Sequence, residues 1–299
     1  MNQSKRQWVI WGLKTQRHTH RDAHFHFYLS LKKSGRDVVW VDNADRNRSC
    51  IKPDSIVLTA GMACSKLPVV NRAKYCLHNC PEALENQIPR SNLLKLQVYT
   101  STGLEGINGE NWKRFVVFDK AKQTLYQPWG TNLEKEEFLP PVWKSRFKLV
   151  FWVGLVWNNS ENQGNQSKIK ELKECLKKKH IAFCAVHGIP DWMNTLLIRK
   201  SWIAPAIAGE WQSRNNYLPC RLFKNVSYGQ LGISNVLAFK ELFDNIPSIN
   251  LDIPSAVDFA LSLSETAWKR SILEQQEAVS GYTYRNSVIN IERAFESLS

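Results

Sequence analysis

The segment PCRLFKNVSYGQLGISN, at residues 219–235, is the most informative part of this sequence for the fold and its ligand. It places Arg221 and Lys224 before two turns of small residues, at 227–229 and 232–235. Cations that meet the backbone N–H groups of such turns are what an anionic ligand such as a diphosphate needs. A buried helix that ends in a β-turn would contain the same residue types, so the segment leaves both interpretations open.

Around this segment, short apolar runs alternate with helical patterns along the chain. The runs that predict strands lie at residues 8–12, 37–42, 55–59, 73–78, 94–99, 114–118, 148–154, 181–186 and 201–206. The spacing of apolar residues predicts helices at 21–33 and 168–179 and an amphipathic helix at 279–298. Alternation of this kind predicts an α/β fold with mostly parallel sheets whose faces are covered by helices.

A polar segment that ends in two prolines, at residues 132–141, interrupts this pattern. The strand–helix alternation starts again after it, so the chain divides into two α/β halves of similar size. We predict one domain at 1–135, a second at 136–278 and a terminal helix at 279–299. Ligands of α/β sheets bind beyond the carboxyl ends of the strands, which is where we look for site residues.

The chain is strongly basic, with a formal net charge of +13 over 299 residues. This balance favours polyanionic partners, namely nucleic acid, an anionic lipid surface or phosphorylated small molecules. The densest cluster of lysines, at residues 168–179, alternates with apolar residues at helical spacing. Most of these lysines are therefore predicted to form a solvated helix face.

Apolar runs, the charges of the first residues and the cysteines together predict the cellular compartment. No apolar run has the length of a membrane-spanning helix, and charges interrupt the first residues where a signal peptide would be apolar. The seven cysteines are scattered and odd in number, which argues against a disulfide framework or structural zinc. We therefore expect a cytoplasmic protein and leave peripheral membrane association open.

Four motifs, one of which is the opening segment, resemble a known family. The strings FWVGLVWNNSENQGN, SWIAPAIAGEWQ, PCRLFKNVSYGQLGISN and GYTYRN occur in this order between residues 151 and 286. Together they resemble the second half of CgeB-like glycosyltransferases, and LYQPWGTN at 125–132 resembles their interdomain boundary. The resemblance implies a GT-B architecture of two facing Rossmann-like domains, the first for the acceptor and the second for the nucleotide-sugar donor. It also implies that the terminal helix crosses back onto the first domain.

The resemblance places a donor site in the second half. The residues it assigns are Gly154, Trp157, Asn158, Gln212, Arg221, Lys224, Asn225, Ser227, Tyr228, Gly229, Ser234 and Asn235. Arg221 and Lys224 would hold the diphosphate, because fixed cations stabilise the negative charge that builds up as it departs. Gly154 would let the backbone approach the diphosphate, whereas Gln212 either binds the ligand or caps a helix.

No metal or resident cofactor is expected. Glycosyltransferases of the other large architecture hold a metal with a D-x-D motif, and this sequence contains no such triplet. The nucleoside-diphosphate sugar would be a co-substrate, and its leaving group would be stabilised by the protein's own cations.

The acceptor site falls in the first half, where histidines follow the first predicted strand. His18, His20, His24 and His26 lie around Asp22 in the string RHTHRDAHFH. His20 or Asp22 would take the acceptor proton in a transferase, and His78, at the end of the fourth strand, is the second candidate. A zinc site would need further ligands that the sequence does not supply. The alternative is that His24 and His26 are helix-surface or core residues.

The segment that contains Gln127, Trp129 and Gly130 also has two interpretations. It is either a linker in which proline and glycine set the bend, or the edge of the cleft, where it would contact donor or product.

The sequence thus favours a metal-independent glycosyltransferase that moves a sugar from a nucleotide-sugar to a hydroxyl of a glycan or glycoconjugate. A nucleic-acid-binding protein is the alternative suggested by the charge, although no RNA- or DNA-binding signature supports it. A catalytically idle GT-B protein that binds a glycan is the third possibility. Nucleotide binding through Arg221 distinguishes the first from the other two.

Overall fold

A computed structural model describes residues 6–14, 19–45, 50–98, 109–215, 217–243 and 246–298. The described residues form two compact units. The first unit draws on Met1–Val98, Gly106–Gln127 and Tyr284–Ser299, and the second on Pro128–Thr283. The predicted domain limits at 135 and 278 stay predictions.

Strands and helices alternate through both units, as the sequence predicts. The strands are β1 Trp8–Trp11, β2 Val38–Val41, β3 Ile56–Ala60, β4 Lys74–His78, β5 Leu93–Gln97, β6 Glu110–Lys113, β7 Val116–Asp119, β8 Thr124–Tyr126, β9 Leu149–Val153, β10 Ala182–Val186, β11 Ala204–Pro205 and β12 Gly232–Ile233. The helices are α1 Thr19–Lys33, α2 Glu82–Glu85, α3 Gln166–Lys178, α4 Asp191–Lys200, α5 Glu210–Arg214, α6 Cys220–Ser227, α7 Ala238–Leu242, α8 Ile253–Ser262, α9 Glu265–Val279 and α10 Tyr284–Leu298.

The first unit is built on one sheet with the strand order β2-β1-β3-β4-β5-β8-β7-β6. The strands from β2 to β8 are parallel, and β7 and β6 continue the sheet in antiparallel pairs. Strands β1 and β3 are buried along their whole length, as expected for strands covered on both faces. Because the strand order reverses at β1, the carboxyl ends of β1 and β3 form a switch point, which is where such sheets bind ligands.

The second unit has two parallel strand pairs, β10-β9 and β11-β12. Strand β11 lies beside β9, since the backbone N–H of Trp202 donates to the carbonyl of Leu149 at 2.9 Å. Helix α3 buries Ile169, Leu172 and Leu176 against this layer. Most of its lysines point to solvent, which confirms the prediction of a solvated helix face.

Two predicted strands are shorter than the sequence indicated. The strand expected at 114–118 begins only at Val116, because Phe115 has a left-handed φ of 61° and forms the turn after β6. The strand expected at 201–206 is reduced to Ala204–Pro205. Pro205 has no N–H to donate to a neighbouring strand, which limits the ladder at this position.

The single helix predicted at 279–298 is present as α10, which begins five residues later than predicted. Helix α9 ends at Val279, and α10 starts at Tyr284 after a turn. Helix α10 belongs to the first unit and packs on α1. Its Glu292 accepts hydrogen bonds from Arg36, with Nε–Oε1 at 2.8 Å and Nη2–Oε2 at 2.6 Å, and from Trp8 Nε1 at 3.2 Å. This bidentate pair fixes α10 to the first unit.

Replacing Glu292 by alanine should lower the free energy of unfolding by about 2–3 kcal/mol. The substitution removes charge-assisted bonds from a half-buried Arg36 and leaves that guanidinium without its carboxylate. Urea denaturation of the purified chain measures the change. Glu277→Ala is the matched control, because its pair with Lys135 is exposed and should be worth less than about 1 kcal/mol. Equal effects of the two substitutions would contradict the anchoring role of Glu292.

Candidate functional site

Arg221 lies at the carboxyl end of β9, held by two contacts. It is the second residue of α6, which starts after Pro219. Its Nε donates to the carbonyl of Val153 at 2.9 Å, and its guanidinium carbon stands 3.8 Å from the ring centroid of Trp152. The hydrogen bond and the cation–π contact fix the guanidinium plane.

The charge of Arg221 has no counter-charge in the part of the chain that the structure describes. No carboxylate there lies within ion-pair distance of it, and only its Nε has a hydrogen-bond acceptor. Burial lowers the pKa of the Arg221 guanidinium from its ordinary value. Even a partly buried cation without an acid is costly for a folded protein. The terminal N–H groups are therefore donors suited to an anionic ligand.

Gly154 makes room for this guanidinium. It follows β9 with a φ of +141°, a backbone conformation that other residues rarely adopt. A Cβ built on Gly154 would overlap Nη2 of Arg221. The sequence singled out this glycine for backbone approach to a diphosphate, and the structure adds clearance for the cation that would bind it.

Lys224 lies one turn beyond Arg221 on α6 and is half-buried. Its positive charge acts on the buried Tyr228 phenol. Burial raises the pKa of Tyr228, and Lys224 partly opposes that shift. The structure therefore brings the two predicted cations onto adjacent turns of one helix.

The loop after β9 presents apolar side chains to solvent. Leu155, Val156 and Trp157 are each about two-fifths exposed. The loop is held by its own amides, because Asn165 Oδ1 accepts from the backbone N–H of Trp157 at 3.0 Å and Asn158 Oδ1 accepts from that of Gly164 at 3.2 Å. Asn158 thus shapes the loop, while Trp157 offers an exposed aromatic face beside the carboxyl end of β9.

Three predicted donor-site residues at the end of α6 are engaged within the second unit. The Ser227 hydroxyl is 2.7 Å from that of Thr131, and the Tyr228 hydroxyl donates to Asn132 Oδ1 at 2.8 Å. Gly229 has a φ of +81°, and a Cβ there would overlap the Pro140 carbonyl. All three fix the end of α6 against the segment that precedes β9.

Three other predicted residues are buried. Their side chains bond to the backbone of residues 205–208, at the end of β11 and directly after it. The Asn235 amide accepts from the Ala208 N–H at 2.8 Å and donates to its carbonyl at 2.9 Å. Ser234 Oγ donates to the Ala206 carbonyl at 2.8 Å. The Asn225 amide stands 3.5 Å from the carbonyl of Pro205. Their side chains set the shape of the loops at this edge of the sheet.

Gln212 had two interpretations, a ligand contact or a helix cap. The structure shows its side chain at the cap of α5. Gln212 Oε1 accepts from the backbone N–H of Gly209 at 3.2 Å, at the start of α5. The next helical residue after Glu210 is Trp211, whose side chain is exposed.

Gln127, Trp129 and Gly130 are buried where the chain passes from the first unit to the second. Gln127 Oε1 accepts from Asn290 Nδ2 at 3.0 Å within the first unit. A Cβ on Gly130 would overlap the Tyr282 carbonyl within the second. Close backbone contact accounts for the glycine, as the linker interpretation requires.

The predicted acceptor residues of the first unit lie in different settings. The side chain of His20 falls outside the described residues. Asp22 is exposed and pairs with its neighbour Arg21 at 3.3 Å. His78 is buried at the end of β4, where its Nδ1 is 2.9 Å from the carbonyl of Leu96 and its Nε2 is 3.2 Å from the amide of Asn79.

The structure adds His24 at the carboxyl end of β1, next to the switch point. Its Nδ1 lies 3.0 Å from the carbonyl of Gly12, which also accepts from Trp40 Nε1 at 3.0 Å. A carbonyl partner requires the proton on Nδ1, so Nε2 is a lone-pair acceptor. Burial lowers the pKa of His24 to about 4, with a further contribution from the nearby His78. The sequence placed His24 only as a surface or core residue, because spacing on a helix does not show which strand end a side chain meets.

Acid should lower the free energy of unfolding, because the buried His24 resists protonation in the folded state. An unfolded histidine with a pKa of 6.5 takes up a proton that the buried imidazole excludes until about pH 4. The free energy of unfolding should therefore fall by about 3 kcal/mol as the pH drops through this window, and His78, whose pKa burial also lowers, adds in the same direction. Urea titrations across these pH values measure the slope.

His24→Asn is the informative variant for this slope, because its amide can replace the Nδ1 donor without titrating. It should lose most of the pH dependence, whereas His187→Asn, at an exposed position, should retain it. An unchanged slope in His24→Asn would contradict the assignment.

The described residues contain neither a cluster of metal ligands nor a helix that could span a membrane. No group of three or more histidine, cysteine, aspartate or glutamate residues is arranged there to hold a metal ion. None of the helices described is long and apolar enough to cross a bilayer.

No protein-family model and no curated protein matches the chain. Solved structures with a similar fold include the following two. One is the N-terminal domain of trehalose-6-phosphate phosphatase from Candida albicans, with a TM-score of 0.50 and 10% identity over 99% of this chain and 97% of that one. The other is OtsA in its apo form, with a TM-score of 0.52 and 9% identity over 99% of both chains.

The chain has a mixed α/β fold of the GT-B kind. OtsA is an enzyme with that fold, so the predicted fold class is confirmed. The identities are so low that the likeness concerns the fold alone. The resemblance to CgeB-like enzymes stays a prediction.

Proposed function

We propose that this protein is a CgeB-like glycosyltransferase, which transfers a sugar from a nucleoside-diphosphate sugar to a hydroxyl group of a glycan or glycoconjugate. The observation that carries the proposal is Arg221. Its guanidinium is partly buried, fixed by Val153 and Trp152, and without a carboxylate among the described residues. Such a group is suited to an anion that enters and leaves.

The proposed mechanism uses this charge on the leaving group. Breaking the bond between the sugar and the diphosphate builds negative charge on the diphosphate oxygens, and fixed donors that meet this charge lower the barrier. The terminal N–H groups of Arg221 can bind two oxygens side by side, and Lys224 adds a second positive charge on the next turn. We propose that these two side chains carry the stabilisation, so that the reaction needs no metal.

The exposed loop after β9 fits the rest of the donor. Trp157 offers an aromatic face for a base or a sugar ring. Gly154 keeps the strand end open next to Arg221. The fold is compatible with this proposal, because OtsA is a glycosyltransferase of the GT-B fold.

Proton transfer from the acceptor hydroxyl falls to the first unit in this proposal. His20, Asp22 and His78 remain the candidates for the base. His24 is uncharged at neutral pH and has an acceptor nitrogen, but a pKa near 4 makes it a weak base. His24 is therefore suited to orienting a hydroxyl by a hydrogen bond.

Thermal unfolding in the presence of UDP, GDP, ADP, CMP or dTDP tests the proposal. One nucleotide should stabilise the protein, and a hundredfold excess over its Kd corresponds to about 2.7 kcal/mol. The shift should persist with a chelator, as expected for a site that needs no metal. The absence of any shift, together with oligonucleotide binding that weakens steeply with salt, would instead favour a nucleic-acid-binding protein.

A further inference from the structure

Exposed cations and one exposed aromatic residue lie at the same end of the sheet in the second unit. Phe147 is 63% exposed, among the most exposed large apolar side chains in the described residues. Arg146 and Lys148 flank it in the sequence and are also exposed. The basic edge, as we name this surface, consists of Phe147 and the exposed cations Arg146, Lys148, Lys177, Lys178 and Lys200.

Backbone hydrogen bonds bring these residues to one end of the sheet. Lys148 directly precedes β9, and its carbonyl accepts from the N–H of Ala182 at the start of β10, at 2.8 Å. Helix α3 ends at Lys178, and α4 ends at Lys200. The backbone N–H of Trp202, two residues after Lys200, donates to the carbonyl of Leu149, the first residue of β9, at 2.9 Å. The basic edge is therefore the amino end of β9 and β10.

The five cations keep their charge uncompensated. None forms an ion pair with an acid in the part of the chain that the structure describes, whereas Lys179 beside them pairs with Asp258. Arg146 lies over the Phe147 ring with its guanidinium carbon 4.7 Å from the centroid, and Lys148 Nζ is 5.8 Å from that of Trp202. A surface that combines unpaired cations with a protruding aromatic ring is complementary to an anionic partner that has an apolar interior.

We propose that the basic edge docks the chain onto an anionic lipid bilayer. The cations would meet the lipid phosphates, and Phe147 would enter the boundary between headgroups and acyl chains. A single-stranded nucleic acid fits less well, because it is bound on several aromatic residues that stack successive bases. Phe147 is the one exposed aromatic side chain of the basic edge, since the Trp202 ring beside Lys148 is only partly exposed and its Nε1 donates to the Ser145 carbonyl at 2.7 Å.

The position of this edge separates docking from donor binding. Arg221 stands at the carboxyl end of β9, and the basic edge lies at its amino end. A strand of this length spans about 17 Å. Docking would therefore leave the carboxyl end of the sheet open to solvent, and the inference does not depend on the proposed glycosyl transfer.

Sedimentation of the full chain with lipid vesicles tests this inference. The chain should bind vesicles of phosphatidylcholine mixed with phosphatidylglycerol, release at high salt, and bind phosphatidylcholine alone weakly. Lys177→Gln combined with Lys178→Gln should lower the partition coefficient about 25-fold, at roughly fivefold for each cation. Phe147→Ala should lower it by at least about fivefold while leaving thermal stability unchanged.

Two controls separate the basic edge from general charge and apolarity. Leu251→Ala removes a side chain that is 54% exposed beside Asp252, and Lys170→Gln removes a lysine of α3 that is near Glu174. Each should change vesicle binding less than twofold. Binding that none of the edge substitutions weakens would overturn the proposal. So would oligonucleotide binding that the edge substitutions weaken, if vesicle binding showed no preference for anionic lipid.

Discussion

Replacing Arg221 by methionine should weaken nucleoside-diphosphate binding by about 10- to 100-fold without destabilising the free protein. The loss corresponds to one or two charge-assisted hydrogen bonds in a desolvated site. The stability forecast follows from the missing counter-charge, because a shorter apolar side chain avoids the cost of a partly buried cation that has no acid among the described residues. The lost hydrogen bond to Val153 and the lost contact with Trp152 reduce this gain.

The two readouts together distinguish a binding role from a structural one. Calorimetric titration with the nucleotide that stabilises the wild type gives the affinity, and thermal unfolding without ligand gives the stability. Arg270→Met is the matched control, since Arg270 is exposed on α9 near Glu274 and should alter neither quantity. A large loss of stability with unchanged affinity would mean that Arg221 is a structural residue, and the proposed donor site would be wrong.

Replacing Gly154 by alanine should lower both stability and nucleotide affinity. The new Cβ would be placed at a φ of +141° and would overlap Nη2 of Arg221. The backbone strain costs about 1–3 kcal/mol, and the overlap adds about 1 kcal/mol because Nη2 is the far end of a flexible side chain, so we expect the free energy of unfolding to fall by about 2–4 kcal/mol. Displacement of the guanidinium should weaken nucleotide binding at least about tenfold.

Gly35 separates strain from overlap in this experiment. It has a φ of +71° after α1, but a Cβ there would meet nothing within 4 Å. Gly35→Ala should therefore show the strain alone, at about 1 kcal/mol. The double variant Gly154→Ala with Arg221→Met should be more stable than the sum of the single effects predicts, because the shorter side chain gives way to the Cβ. Strict additivity would show that the glycine is not there to accommodate Arg221.

The sequence predicted the α/β alternation and the cations of α6 because both depend on local patterns. Apolar runs and helical spacing report burial, and these set β1, β3 and the buried face of α3. Local patterns do not show which side chains meet across the fold. The stacking of Arg221 on Trp152 joins residues far apart in the sequence, and no spacing rule foretells it.

Because local patterns do not show contacts across the fold, they also leave the partners of polar residues undetermined. The resemblance to CgeB-like enzymes assigns Ser234 and Asn235 to the donor site, and polar residues in a turn are compatible with a binding loop. In the structure their side chains bond to the backbone after β11, which needs partners as much as any ligand does. His24 illustrates the reverse case, since its contact with Gly12 became visible only once the helix was placed on the sheet.

The first and last residues of the second unit lie next to each other, and this arrangement has a consequence for biosynthesis. The N–H of Thr131 donates to the carbonyl of Tyr282 at 2.8 Å, so the unit begins and finishes at one place. The first unit is completed only by α10, whose Glu292 pairs with Arg36 from far earlier in the chain. A ribosome therefore delivers the entire second unit before the first has all of its parts. The inserted unit can form while the earlier sheet still waits for its last helix, and its adjoining ends make it a natural segment to excise or exchange.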